Sequence, residues 1–129
     1  MRVRLDLFYR DGSNYKLADS TTFSGRASLR DVLRLQDSLV ADMGMVPTAV
    51  GLPCLSFSSG RSTDDHPWHE VTGVAEEPGE PEDPRSFTAF VDECVAADWN
   101  AAAIAWACRT PSASRPRSNP RRRTRRRTR

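Results

Sequence analysis

The sequence predicts an α+β fold, in which a small, mostly antiparallel sheet is covered by helices in a two-layer sandwich with the element order β-β-α-β-β-α. Two observations lead to this prediction. Apolar and polar residues alternate strictly near the N-terminus, and two later stretches have apolar residues at helical spacing. We expect one small domain, residues 1–108, followed by an arginine-rich tail, residues 109–129.

A β-hairpin is predicted at the start of the chain. Residues 2–9 alternate between two faces; the inward residues are Val3, Leu5, Leu7 and Tyr9, and the outward residues are Arg2, Arg4, Asp6 and Phe8. Residues 11–14 have the composition of a turn. Residues 15–23 can therefore return as a second strand, with Tyr15 and Leu17 facing inward.

A helix is predicted after Ser28, whose hydroxyl can cap the first turn in a capping-box arrangement with Asp31. Apolar residues then recur at intervals of three and four, and Gly44 ends the pattern. We expect this stripe to cover the inner face of the hairpin; it consists of Leu29, Val32, Leu33, Gln36, Leu39, Val40 and Met43.

The middle of the chain is predicted to add two strands. Residues 50–57 (VGLPCLSF) are apolar, although Pro53 lacks an amide donor and favours an edge or a bulge. Residues 68–74 are expected to pair back as a fourth strand. Residues 76–84 (EEPGEPEDP) combine prolines with acids and are predicted to form a solvated linker.

The C-terminal part of the domain is predicted to be helical. Asp83 is expected to cap a second helix, with Pro84 in its first turn. Apolar residues at helical spacing follow, namely Phe87, Phe90, Val91, Cys94 and Val95. A further helical stretch, residues 99–108, is nearly all alanine, with Ile104 and Trp106 as anchors.

Charge divides the chain at residue 108. Residues 1–108 carry nine basic and seventeen acidic side chains, whereas residues 109–129 carry ten arginines and no acid. The tail has no aromatic and no large aliphatic residue, so it cannot bury a core and is predicted to be disordered.

The cysteines and the N-terminus bear on the cellular compartment. Cys54, Cys94 and Cys108 are widely spaced and form no C-x-x-C motif, which favours reduced thiols in a cytoplasmic protein. No signal peptide is predicted at the N-terminus, and no run of apolar residues is long enough for a membrane helix. We therefore expect no membrane partner.

The densest group of chemically capable side chains lies in residues 63–70 (TDDHPWHE), which contain both histidines of the chain. One interpretation is a metal site, with ligands drawn from Asp64, Asp65, His66, His69 and Glu70. Pro67 disfavours a helix, so the spacing is not that of an H-E-x-x-H site. The other interpretation is structural, with the acids in a turn and Trp68 packed against the helix. No cofactor is predicted.

The tail is a second candidate site. Its guanidinium groups can bind nucleic-acid phosphates without sequence specificity, and the lack of aromatics argues against base stacking. The arginines concerned are Arg121, Arg122, Arg123, Arg125, Arg126, Arg127 and Arg129. A loose solvated extension and a contact between the tail and the acidic linker are the alternatives.

Three stretches, LFYRDGSNYK at 7–16, VGLP at 50–53 and DDHPWHE at 64–70, resemble a group of short uncharacterised proteins of bacterial and phage genomes. The resemblance covers about residues 1–100 and excludes the tail. It implies that any shared function lies in the folded body. It carries no activity, cofactor or catalytic residue.

The leading prediction is a small non-enzymatic binding or accessory protein that acts on an unknown protein partner. Its interaction surface is predicted to combine the hairpin turn with the 64–70 stretch, in particular Tyr9, Arg10, Tyr15, Lys16 and Trp68. One alternative is a metal-dependent hydrolase or nuclease that uses the 64–70 cluster. The other is a nonspecific nucleic-acid binder that acts through the tail.

Overall fold

The computed structural model describes residues 1–13, 15–55 and 65–108, together with the backbone of Thr124–Arg127. Three helices and an antiparallel sheet in these ranges confirm the predicted α+β class. None of the described helices is both long and apolar enough to pass through a membrane.

The sheet is built on a central strand, β1 (Arg2–Arg10). Strands β2 (Tyr15–Ser24) and β3 (Glu70–Glu77) pair with β1 on either side, both antiparallel, so the predicted hairpin is confirmed. The register pairs Arg10 with Lys16 and Phe8 with Glu70. Phe8, Arg10 and Glu70 therefore lie at the same end of the sheet, on the face opposite the core.

A fourth strand, β4 (Thr124–Arg127), pairs antiparallel with residues 15–18 of β2. Of the arginine-rich tail, the structure describes only the backbone of these four residues. The rest of the segment that the sequence predicts to be disordered, residues 109–123 and 128–129, lies outside the described residues. The arginine side chains predicted to bind nucleic acid also lie outside the described part of the chain.

The larger of two hydrophobic clusters in the described residues lies between the sheet and the helices, and the smaller one contains Tyr9, Leu17 and Leu55. The alternation in β1 is confirmed, because its four inward residues are all buried: Val3, Leu5, Leu7 and Tyr9. Helix α2 (Phe87–Ala96) packs its aromatic residues against β2, and Phe90 stacks on Phe23 with 4.4 Å between ring centroids. Helix α3 (Trp99–Ala107) has nearly the predicted bounds.

Helix α1 spans Leu29–Ser38 and is shorter than predicted. Its orientation also corrects the predicted stripe, because Leu29 and Leu33 are 74% and 49% exposed, whereas Asp31 and Leu35 are buried. The physical reason is a polar contact between helices. The hydroxyl of Thr88 on α2 donates to the Asp31 carboxylate at 2.6 Å, and this contact directs that side of α1 toward α2.

The predicted N-cap of α1 is confirmed, since the Ser28 hydroxyl accepts a hydrogen bond from the Asp31 amide at 3.1 Å. The capping box is not completed, because the Asp31 carboxylate accepts from Thr88 and Arg34 instead. Replacing Ser28 with alanine should lower the free energy of unfolding by about 1 kcal/mol, because that amide loses its acceptor. Urea denaturation measures the change. Ser28→Asp should keep most of the stability, since aspartate also caps; an equal loss in both variants would contradict the capping role.

The prediction of a strand at residues 50–57 is wrong. Pro47–Val50 form a 3-10 helix, and residues 51–55 are irregular, while residues 56 and 57 lie outside the described ranges. Two features explain this. Gly51 adopts a left-handed φ of 74°, which ends the extended direction, and prolines at 47 and 53 cannot donate to a ladder.

Two boundaries near β3 and α2 also differ from prediction. Glu76 and Glu77 belong to β3 rather than to a linker, and Glu77 pairs with Arg2 and Arg4 of the neighbouring strand. The cap of α2 is Ser86, whose hydroxyl accepts from the Ala89 amide at 3.1 Å. The carboxylate predicted to cap, Asp83, instead binds the Arg85 guanidinium.

Candidate functional site

The structure brings the two predicted interaction segments into contact. The His66 ring donates from Nε2 to the carbonyl oxygen of Arg10 at 2.6 Å. The Tyr9 hydroxyl donates to Asp65 Oδ1 at 2.6 Å and accepts from the His66 amide at 3.3 Å. The end of the hairpin and the 65–70 segment are therefore held together by direct hydrogen bonds.

The Tyr9 ring lies beside both histidine rings, with 5.1 Å between its centroid and each of theirs. We call Tyr9, Asp65, His66 and His69 the histidine clasp. Tyr9 was expected at the interaction surface, but it is only 1% exposed. Burial, and then the hydrogen bond to Asp65, raises the pKa of Tyr9, so the phenol stays protonated and acts as a structural donor.

His69 is fully buried and has a backbone partner at each ring nitrogen. The Leu55 amide donates to Nε2 at 2.9 Å, so the ring proton is on Nδ1, which lies 3.0 Å from the carbonyl oxygen of Pro67. Burial lowers the pKa of His69 to about 4. The ring is therefore neutral near pH 7 and joins the backbone at Leu55 to the backbone at Pro67.

His66 is bonded in the opposite tautomer. The Trp68 amide donates to Nδ1 at 3.2 Å, which leaves the proton on Nε2 for the bond to the Arg10 carbonyl. Neither histidine has an uncommitted nitrogen lone pair. Both rings would have to break a backbone hydrogen bond before they could ligate a metal or carry a proton.

The remaining candidate metal ligands are dispersed. Asp65 is bound by Tyr9, Glu70 is exposed on β3, and Asp64 lies outside the described residues. No group of three histidine, cysteine or acidic side chains in residues 1–13, 15–55 and 65–108 is arranged to hold a metal ion. The structural interpretation of the 64–70 stretch fits the described geometry better than chelation does.

A groove of about 650 Å³ opens beside the histidine clasp. It is lined by residues from three parts of the chain: Phe8, Arg10, Asp42, Met43, His66, Trp68 and Glu70. Strand register places Phe8 beside Glu70, and the Arg10 guanidinium lies 5.5 Å from the centre of the Phe8 ring. The aromatic ring and the cation therefore form one wall.

The opposite wall is a tight turn after α1. Val40 and Gly44 exchange backbone hydrogen bonds of 2.9 and 2.8 Å, and this turn holds Met43 with 41% of its surface exposed. Gly44 has a φ of 88°, and a Cβ atom there would overlap the carbonyl oxygen of His69. The turn is thus packed directly against the backbone of His69, a member of the histidine clasp.

The charges of the groove are not paired with one another. Arg10, Asp42 and Glu70 make no ion pair with any residue in the described ranges. Elsewhere in the domain, five arginines do form such pairs: Arg2, Arg4, Arg26, Arg34 and Arg85. The groove therefore combines partly exposed apolar side chains with charges that are available to a partner.

No family model, curated protein or solved structure matches this chain. The resemblance of residues 7–16, 50–53 and 64–70 to short bacterial and phage proteins stays a prediction.

Only some of the residues predicted at the interaction surface line the groove. Arg10 and Trp68 were predicted at the interaction surface and do line the groove, whereas Tyr15 is half-buried against Tyr9 and Leu17, and Lys16 lies on β2. Three lining residues were missed: Phe8, Asp42 and Met43. Phe8 could have been predicted at a binding surface, because it is an aromatic residue on the polar face of an alternating strand. Met43 was assigned to the core because the predicted helix was too long.

Proposed function

We propose that this protein is a small non-enzymatic binding protein that captures a segment of a protein partner in the groove. The observation that supports the proposal most directly is that exposed Met43 and the half-buried rings of Phe8 and Trp68 line one groove. The same groove holds Arg10, Asp42 and Glu70, which form no ion pair within the described residues. Tryptophan, methionine and arginine are enriched at protein interfaces, and aromatic and arginine anchors often dominate binding energy.

The rigidity of the groove favours binding. The histidine clasp fixes one side through hydrogen bonds, and the Val40–Gly44 turn fixes the other. A site that is already formed loses less conformational entropy when a ligand is bound. The volume of about 650 Å³ lies in the ordinary range of ligand-binding clefts.

A binding role is also supported by the state of the titratable groups. Both histidines are bonded to backbone groups, which leaves neither in position as a general base. Burial raises the pKa of the Cys94 thiol to about 12, so it is not a nucleophile near pH 7. We further propose that the protein acts in the cytoplasm, because Cys94 and Cys108 are free thiols.

The proposal is tested by selecting peptides that bind the full-length chain from a random displayed library. Fluorescence polarisation then measures their affinity for the parent chain and for Met43→Ala and Arg10→Glu variants. At least one variant should weaken binding about tenfold, which corresponds to about 1.4 kcal/mol. A selected peptide should also shift the fluorescence of the protein, since Trp68 lines the groove.

Leu29→Ala and Arg30→Glu are the matched controls, because both residues are exposed on α1 and line no part of the groove. These variants should bind the selected peptides with unchanged affinity. Failure to select any peptide, or equal affinity for the groove variants and the parent chain, would overturn the proposal.

A further inference from the structure

The edge of strand β3 that faces away from β1 carries unused backbone groups. In an antiparallel ladder, the amide and carbonyl groups of alternate residues point to opposite sides of a strand. Those of His69 point away from β1, since they form hydrogen bonds of 2.8 and 2.9 Å with Met45. The same alternation, continued through the register shift between β1 and β3, gives the further residues whose backbone groups point away from β1: Val71, Val74 and Glu76.

Beyond His69, this edge has no neighbouring strand in the described part of the chain. No backbone hydrogen bond joins Val71 or Val74 to a described residue outside the ladder with β1. The edge of β2, by contrast, carries β4. Side-chain burial agrees, because Val71 and Val74 pack against the core but are only half-buried, whereas Leu5 and Leu7 opposite them on β1 are buried. Strand β3 therefore packs like a strand that lacks one neighbour.

The open part of the edge has a defined length. Met45 covers the edge at His69, and toward the other end the Glu76 carboxylate accepts a hydrogen bond from the Ala27 amide at 2.8 Å. Residues 71–75 (VTGVA) lie between these points and span about 17 Å. They contain no charged residue and no proline, which are the residues that commonly protect an edge strand from pairing. The stretch is therefore open to an added strand.

We propose that the captured segment of the protein partner is extended and adds to β3 as a further antiparallel strand over about five residues. This inference rests on the proposed function and specifies how the segment is held. Glu70, the first residue of β3, lines the groove, so the groove and the open edge are continuous. Backbone hydrogen bonds to the edge supply affinity, and alternate side chains of the segment cover Val71 and Val74.

Charge further defines the segment. Glu70 and Asp42 are exposed at the groove end of the edge, and neither forms an ion pair within the described residues. Opposite charges on neighbouring strands attract, so the segment should carry a basic residue beside Glu70 and apolar residues beside Val71 and Val74. A second copy of this chain fits less well, because two antiparallel β3 strands would bring Glu70 of one copy toward Glu77 of the other.

Backbone methylation of a peptide selected against the full-length chain tests the inference without changing the protein. Each peptide residue is N-methylated in turn, which removes one amide donor, and fluorescence polarisation measures the affinity. Methylation at alternate positions within about five residues should weaken binding about tenfold, because only those amides point to β3, and the intervening positions should have little effect. Losses that do not alternate would overturn strand addition. If Met43→Ala still weakened binding in that case, the proposed function would stand.

Amide hydrogen exchange followed by NMR locates the added strand on the protein. In the free chain, the amides of Val71 and Val74 should exchange faster than that of Ala75, which points to β1. A saturating concentration of the selected peptide should slow exchange at Val71 and Val74 about tenfold. Slow exchange at both in the free chain would overturn the inference, because the edge would already be filled. Dependence on protein concentration would then indicate a second copy, and independence a segment of the same chain.

A proline substitution tests the edge directly. Val74→Pro removes an outward amide donor and leaves the hydrogen bonds to β1 intact, so it should weaken peptide binding about tenfold. Val74→Ala is the matched control, because it shortens the same side chain but keeps the amide, and it should cause a smaller loss. Equal affinity of the two folded variants for the peptide would overturn the inference.

Discussion

Lowering the pH from 7 to 4 is expected to reduce the free energy of unfolding by about 3 kcal/mol through His69 alone. The buried ring has a pKa of about 4 in the folded protein, against 6.5 for a histidine in water. Between these two values the unfolded chain binds a proton that the folded chain does not. Stability is therefore complete above pH 6.5 and falls as the pH approaches 4, with about 2 kcal/mol already lost at pH 5.

Urea denaturation at pH 7.0, 6.0, 5.0 and 4.5 measures this dependence, with tryptophan fluorescence as the signal. The control is His69→Gln, which removes the titrating group and should be less stable at pH 7 but nearly independent of pH between 6.5 and 5. Carboxylates with lowered pKa values, such as Asp31 and Asp83, contribute only at lower pH. A parent chain whose stability is flat from pH 6.5 to 4.5 would show that His69 is not held neutral.

Replacing Arg85 with alanine is expected to lower the free energy of unfolding by about 3 kcal/mol. Its guanidinium forms two hydrogen bonds of 2.9 Å to Asp83 and one of 2.6 Å to the carbonyl oxygen of Val50. It also lies 5.8 Å and 5.3 Å from the ring centroids of Phe23 and Phe90. One side chain thus joins the 3-10 helix, the segment before α2 and the aromatic core.

The second variant for this position is Arg85→Lys, which keeps the charge but not the planar fork. It should recover only part of the lost stability, because an ammonium group cannot bind Asp83 at two points and reach Val50 as well. Arg30→Ala on the exposed side of α1 is the control and should change stability by less than about 0.5 kcal/mol. Thermal and urea denaturation should agree. Equal losses in the Arg85→Ala and Arg30→Ala variants would contradict the joining role.

The sequence revealed the roles of His69 and Arg85 to different extents. His69 belonged to a stretch that residue types alone marked as unusual, yet its role could not be assigned, because a histidine can ligate, transfer a proton or bond to backbone. No pattern in the sequence indicated that Arg85 stabilises the fold. Its contacts come from residues 2 to 62 positions away in sequence, and no local pattern encodes such distances.

The set of residues that line the groove could not be predicted from the sequence either. Alternation in β1 placed Phe8 on the outer face and gave no reason to connect it with Met43. The two residues line one groove because α1 ends at Ser38 and the turn at Val40–Gly44 packs against His69. That packing depends on strand register and on the close approach that a glycine permits, both of which are set by the whole fold.

The sequence by itself determined the α+β class, the hairpin, the cap at Ser28 and the position of α3, because each depends on periodicity or on hydrogen bonds within a few residues. Only the tertiary structure decided which side of α1 faces inward, where β3 begins, and that both histidines bond to backbone groups. The physical reason is that an amphipathic pattern defines a face but not its neighbour. The neighbours of Asp31, His66 and His69 come from distant parts of the chain, and folding alone brings them within hydrogen-bonding distance.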